Sequence, residues 1–309
     1  MTLIFTAVDK GRIVQVSDRR LTWPNAGVHD HGANKAVCVG MGYIHFATSY
    51  TGLAYIGRVR KENRTDYWLL DTLGSIIRDG EPSIEDICGS LGERAGHTLS
   101  RLGYLRNKGL TVVMAGYDRE NRPFRATVSN MKMGTAPSDV RERFLSEVQR
   151  FYPWDPKPDI HVAGAVAAFQ AKDRYARALK RIRAKVEKRM RERGAELDEL
   201  QVAQMLVSLV NAATTHPTFG HLIGRDCLSV EAFPRVPGML GAVSISLLPP
   251  SQAHQDAPFT SHYFSVGASP VLYGPLIADP YLSIMDVEVD LNPTLPDAPP
   301  DAPEVTQRP

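Results

Sequence analysis

The sequence predicts an α/β fold in which two β-sheets stack and helices cover both outer faces, a four-layer αββα sandwich. Three observations lead there. Strand-like runs with β-branched residues fill the first fifty-odd positions. Helical periodicity then arrives in pairs, first from Thr65 to Leu102 and again from about 172 to Ala213. Further strand-like blocks lie between and after these pairs. Layer rules favour such a sandwich without selecting it uniquely.

Taken in order, Leu3 to Val8 is a short apolar run, and Arg12 to Ser17 alternates polar with apolar. Asp9-Lys10-Gly11 between them reads as a hairpin turn. A polar stretch from Asn25 to Ala33 follows, then two runs, Ala36–Val39 and Tyr43–Thr48, around Gly40-Met41-Gly42. Thr65 can cap a helix in which Trp68, Leu69, Leu73, Ile76 and Ile77 share one face. Ser83 with Asp86 resembles a capping box and opens a second helix, with Ile84, Ile87, Cys88, Leu91, Ala95, Leu99 and Leu102 as its stripe. Leu110–Tyr117 and Phe124–Ser129 read as strands joined by the turn Asp118-Arg119-Glu120-Asn121, and residues 137–159 as mixed and irregular. After the run Ile160–Ala168 come a basic helix to about Arg193 and a helix from Glu196 to Ala213. Leu228 to Leu248 is extended. The eighteen residues from Asn292 hold six prolines and almost no large apolar side chains, which predicts a disordered tail.

At 309 residues and 34.1 kDa the chain can bury a substantial core. It has no apolar run long enough to cross a bilayer. Its first residues lack a basic n-region and an apolar core, so they do not read as a signal peptide. Cys38, Cys88 and Cys227 are odd in number and without metal-ligand spacing, as expected of reduced thiols in a cytoplasmic protein. The net charge of +2 is uneven: residues 172–193 hold eleven Lys/Arg against three acids, a local +8 that leaves −6 elsewhere.

The chemistry concentrates at the start. Thr2 follows the initiator methionine, which is normally trimmed before a small second residue. Trimming leaves a threonine whose hydroxyl can attack a carbonyl while its own α-amine takes the proton. An unperturbed α-amine titrates at roughly 7.7–8.0, so it is available as a base near neutrality. A lysine cation nearby would lower it further, and a carboxylate must hold that lysine in place. Asp18-Arg19-Arg20-Leu21-Thr22 begins sixteen residues after Thr2, directly after a strand-like run, and Lys35 begins the next strand.

These residues resemble the proteasome β-subunits and their bacterial relatives, which are N-terminal-nucleophile (Ntn) hydrolases. There the mature chain opens with threonine on a strand, and the return strand ends in Ser/Thr-Asp/Glu-Arg-Arg and a threonine. The family's acid lies sixteen residues after its nucleophile, as Asp18 does here, and its lysine about sixteen further on, where Lys35 lies seventeen beyond Asp18. Register from Lys35 places Ser49 at the turn whose backbone N–H helps form the oxyanion hole. Thr111-Val112-Val113-Met114-Ala115-Gly116-Tyr117-Asp118 resembles the family's central strand and turn. The likeness covers residues 2–54 closely and reaches about 130; beyond that it is topological.

The resemblance implies a proteasome-like Ntn domain over residues 1–291, enlarged at its C-terminal end, followed by the tail 292–309. It implies a threonine-type peptidase or amidohydrolase with Thr2 as nucleophile, Asp18 and Lys35 supporting it, and the Ser49 N–H on the oxyanion. No cofactor is required. The chain is expected to self-assemble in a ring or spiral and to act on a peptide or other amide; an ATPase partner is left open. Two departures point to the alternative of a silent assembly protein. Gly164-Ala165-Val166-Ala167 carries no hydroxyl where the family has a serine, and Thr214-Thr215-His216-Pro217-Thr218 stands near its Asp-x-x-Ser.

Other features read more simply. His29 and His31 flank Asp30 in a short polar loop, a weak metal signal. His45 reads as a core or rim histidine, and His216 and His221 as structural. The basic helix puts Tyr175, Leu179, Ile182, Val186 and Met190 on one stripe and its cations on the other faces. Nucleic acid is a minor alternative for it, since no aromatic interleaving, zinc spacing or recognition motif accompanies the charge.

Overall fold

The computed structural model describes residues 2–9, 12–23, 27–30, 35–40, 43–58, 63–78, 80–103, 108–131, 140–152, 158–164, 169, 173–193, 196–225, 227–235, 242–248, 262–265, 271–273 and 276–278. In chain order the strands are β1 (Leu3–Asp9), β2 (Arg12–Asp18), β3 (Leu21–Trp23), β4 (Gly27–Asp30), β5 (Ala36–Gly40) and β6 (His45–Gly52). Helices α1 (Thr65–Arg78) and α2 (Ile84–Arg101) follow, then β7 (Leu110–Tyr117), β8 (Pro123–Met131), β9 (Val140–Arg150) and β10 (Asp159–Gly164). Helices α3 (Arg174–Arg193) and α4 (Glu199–Ala213) precede β11 (Cys227–Phe233), β12 (Ala242–Leu248), β13 (His262–Ser265), β14 (Val271–Tyr273) and β15 (Leu276–Ala278).

The strands form a first sheet ordered β10-β1-β2-β11-β12-β13, a second ordered β14-β15-β5-β6-β7-β8-β9, and a separate β3-β4 ribbon. β1 is buried along its whole length because its two faces meet different layers. Leu3, Phe5 and Ala7 pack with Leu179, Val186 and Met190 of α3 and with Val202, Leu206, Val207 and Val210 of α4. Ile4 instead meets Val113 of β7, and Val8 meets Ala115 and Tyr117. A second core joins Val37, Val39, Phe46 and Tyr50 to Leu69, Leu73 and Ile77 of α1 and to Ile84, Ile87 and Leu91 of α2.

This architecture corrects the expected α/β four-layer αββα sandwich. Both large sheets are antiparallel apart from one parallel pair, β5 with β15, so the chain has α+β character rather than α/β. The helix pairs pack against β1, β2 and β11 on one side and chiefly β5, β8 and β9 on the other, while the β3-β4 ribbon belongs to neither sheet. No clear four-layer stack results. The order of elements along a chain carries neither strand direction nor how far each helix reaches across a sheet, and those two properties decide the class.

Local signals act where expected at α2. Ser83 accepts from the Asp86 N–H, and Asp86 returns a bond to the Ser83 N–H. α4 has a similar box, Asp198 with Gln201, shortly after Glu196. Thr65 is the first helical residue of α1 rather than its cap, and its hydroxyl donates to the Leu53 carbonyl at 2.8 Å. The stretch 137–159, expected to be irregular, contains the eleven-residue strand β9. Its alternation is hard to see because both faces carry charge. The tail 292–309, the turn at Lys10-Gly11, His31 and the Ala165-Val166-Ala167 segment lie outside the described residues. No described helix is long and apolar enough to cross a membrane.

Candidate functional site

The β1–β2 hairpin explains the sixteen-residue spacing. Ile4 pairs with Ser17, so the positions just beyond, Leu3 and Asp18, stand opposite each other at the open end of the hairpin. Asp18 Oδ2 accepts from the Leu3 N–H at 2.6 Å, and its Oδ1 accepts from the N–H groups of Arg20 and Gly224, each at 3.0 Å. Gly224 follows the short 3₁₀ turn Gly220–Leu222 and lies so close that a Cβ there would stand 2.8 Å from the Arg20 Cβ and 3.1 Å from Asp18 Oδ1.

Lys35 enters from the second sheet, one residue before β5. Its Nζ donates to Thr2 Oγ1 at 2.6 Å and to the Arg20 carbonyl, and lies 3.4 Å from Asp18 Oδ1. Asp18 and Lys35 are fully buried and Thr2 is nearly so. A buried ammonium is costly unless paired and hydrogen-bonded, and here both conditions are met. Its charge beside the Thr2 hydroxyl favours the alkoxide form of that oxygen.

The structure therefore brings Thr2, Asp18 and Lys35 together. Ser49 it places elsewhere, in the middle of β6 between Ala36 of β5 and Val113 of β7. A strand position flanked on both sides has its N–H committed to the sheet. The Ser49 hydroxyl donates to Gln15 Oε1 at 2.6 Å, and the Gln15 amide reaches Thr6 Oγ1 and the Val113 carbonyl, a polar link between the sheets.

Thr51, two residues on and on the same face of β6, is the side chain that reaches Thr2. Its Oγ1 accepts from the Thr2 N–H at 3.2 Å and donates to the Thr2 carbonyl at 3.0 Å. Gly164 closes the other side: its φ is +88°, and a Cβ would overlap the Thr2 carbonyl oxygen. Sequence reading missed Thr51 because β6 runs on to Gly52 (φ +105°), beyond the register counted from Lys35. The Thr51-Gly52 pair was the available signal.

His45, His216 and His221 make packing and backbone contacts away from Thr2. Burial, with some help from Arg235, holds His45 down at about 4 against the opposing bond to the Phe233 carbonyl, which its Nε2 meets at 2.6 Å. Its ring stacks on Tyr117. His216 Nδ1 accepts from the Thr218 N–H at 3.2 Å, and its Nε2 lies 3.2 Å from Asp173 Oδ2 at the start of α3. His221 contributes its carbonyl, which accepts from Arg20 at 3.0 Å. In the basic helix, Ala176, Leu179, Val186 and Met190 are buried and the cations lie mostly exposed.

No protein-family model and no curated protein matches the chain. Among solved structures it is similar to an Anbu (Gly-1) mutant from Hyphomicrobium sp. strain MC1 (11% identity, 75% of this chain and 81% of that one, TM-score 0.43). It is also similar to Anbu (ancestral beta-subunit) from Yersinia bercovieri, at 9% identity over 86% of this chain and 87% of that one, TM-score 0.43. A third is the helical assembly of the Anbu complex from Pseudomonas aeruginosa, at 11% identity over 86% of each chain, TM-score 0.41. Likeness at this level carries no conclusion about what this chain does.

Proposed function

We propose that this chain is a threonine-type Ntn hydrolase that cleaves amide bonds, with peptides as the substrate class, once removal of Met1 frees the Thr2 amine. The observation that carries the reading is the buried contact of Lys35 Nζ with Thr2 Oγ1 at 2.6 Å, backed by the Asp18 carboxylate at 3.4 Å. Thr2 Oγ1 attacks the substrate carbonyl carbon, and its proton passes to the α-amine, directly or through a water. Lys35 steadies the developing alkoxide, and Asp18 keeps Lys35 charged and aimed. Thr51 holds the amine in place by accepting one of its N–H bonds. The C–N bond breaks as the proton moves to the leaving amine, and water then hydrolyses the ester on Thr2. The oxyanion donor is better sought at the end of β6, around Thr51 and Gly52, than at Ser49, whose N–H is spent in the sheet.

Self-assembly in a ring or spiral belongs to the same reading, because confinement would restrict which peptides reach Thr2. A Thr2→Ala variant tests the chemistry: it should keep the wild-type circular dichroism spectrum and lose all reaction with a threonine-directed β-lactone. Undiminished labelling of that variant would remove Thr2 from the mechanism. A trimmed wild-type chain that never labels would favour the silent assembly protein, to which the missing hydroxyl at Gly164 also points.

A further inference from the structure

We propose that β9 is a docking edge at which a second copy of this chain adds antiparallel, with a two-fold axis through Leu145. β9 ends the second sheet, and among the described residues it pairs with β8 alone. An open edge presents a row of unpaired N–H and C=O groups, and proteins ordinarily blunt it with a short strand, proline, a bulge or charged side chains. β9 is long and charged, with a register shift against β8 only at its start, between Ser129 and Met131. It runs eleven residues, carries no proline, and mixes charges of both signs.

The two faces of β9 differ. Phe144 and Val148 turn toward α2, where they pack on the second core, and Phe144 lies against Gly92. Arg150 is tied to Glu85 and Asp118. The strand is thus held in place from one side. On the alternate positions Arg143, Leu145 and Glu147 all reach outward, Leu145 with 53% of its surface exposed. Arg143 and Glu147 flank Leu145 symmetrically, two residues to either side. A two-fold through Leu145 therefore sets each Arg143 opposite the partner copy's Glu147 and buries the two leucines against each other. Directly opposed residues on antiparallel strands interact in this way, and opposite charges there attract where like charges repel. No other antiparallel pairing of these three residues with themselves satisfies both the charges and the leucines, so the pattern is self-complementary in this one register.

Sedimentation of the full chain with charge variants tests the proposal. Arg143→Glu and Glu147→Arg should each weaken association about 10-fold or more, since each replaces two attractive pairs by repulsive ones, and the double variant should recover to within about 3-fold of wild type. Leu145→Cys should cross-link to itself under mild oxidation, because opposed Cα atoms on antiparallel strands lie within disulfide reach at about 4.5–5.5 Å. The native Cys38, Cys88 and Cys227 are buried and give little background. A monomeric wild type, charge variants that associate as wild type does, or an assembled Leu145→Cys chain that fails to cross-link would each overturn it.

Discussion

Removing the Lys35 ammonium and removing the Asp18 charge should not cost the same, although the two groups face each other. Breaking a fully buried ion pair costs about 3–5 kcal/mol, most of it from the charge left behind. In Lys35→Met the charge left behind is Asp18, which keeps three backbone N–H donors, from Leu3, Arg20 and Gly224. That variant belongs at the low end, about 3 kcal/mol. In Asp18→Asn the charge left behind is the ammonium, facing the Thr2 hydroxyl and the Arg20 carbonyl, neither of them charged. The new amide must also set its NH₂ against at least one N–H that formerly met an oxygen. That variant belongs at the high end, about 5 kcal/mol. The double variant strands no charge, so it should cost less than the sum by at least about 2 kcal/mol. Equilibrium urea unfolding of the three proteins, followed by circular dichroism, gives all the values. An Asp18→Asn variant milder than Lys35→Met, or costs that simply add, would show that the pair is not held as described.

Three further outcomes follow from the geometry. Thr51→Val should slow β-lactone acylation about 100-fold and move its pH profile, while Thr51→Ser stays close to wild type, as rapid-quench kinetics would show; equal rates for both would leave Thr51 without a positioning role. Gly164→Ala should cost roughly 1–3 kcal/mol in chemical unfolding and slow acylation with it, because the left-handed backbone and the overlap with the Thr2 carbonyl act together; an unchanged variant would contradict that packing. Burial first, and then the Glu199 and Asp198 carboxylates, push the Glu231 carboxyl up to about 7 from an ordinary 4.5. Its folded value is raised, so its contribution to stability is whole below pH 4.5 and is lost as pH climbs through 7, an effect of about 3 kcal/mol. Glu231→Gln should therefore unfold at higher temperature than wild type at pH 8, with a flatter profile between the two values, and a parallel profile would refute the assignment.

Much of the site could be read from the chain because a hairpin is a local object. Asp18 meets Leu3, the residue after Thr2, through the β1–β2 register, which the turn between two alternating runs already implies. Lys35 was reachable only through family spacing, since nothing local says that β5 lies in a different sheet from β2. Ser49 shows where counting fails. The β5–β6 hairpin fixes which residue stands opposite which, but how far β6 continues is set by its pairing with β7, a partner distant in sequence. The same holds for Gly224, whose bond to Asp18 spans 206 positions. At the level of the fold, periodicity located both helix pairs and most of the strands, but not how they stack. The antiparallel directions that correct the α/β class depend on long-range pairing that periodicity does not carry. β9 escaped because its charges fall on both faces, and the edge position that explains them is visible only once the sheet is assembled.

Thr2, freed of Met1, should be a working nucleophile in the Lys35–Asp18 setting. Intact-mass spectrometry before and after incubation with a threonine-directed β-lactone tests it most directly, with tandem sequencing of the labelled peptide. The expected result is a chain lighter by one methionine that gains a single adduct on Thr2, and no adduct in Lys35→Met over the same time. A chain that keeps Met1, or a trimmed chain whose adduct sits elsewhere or never forms, would contradict it.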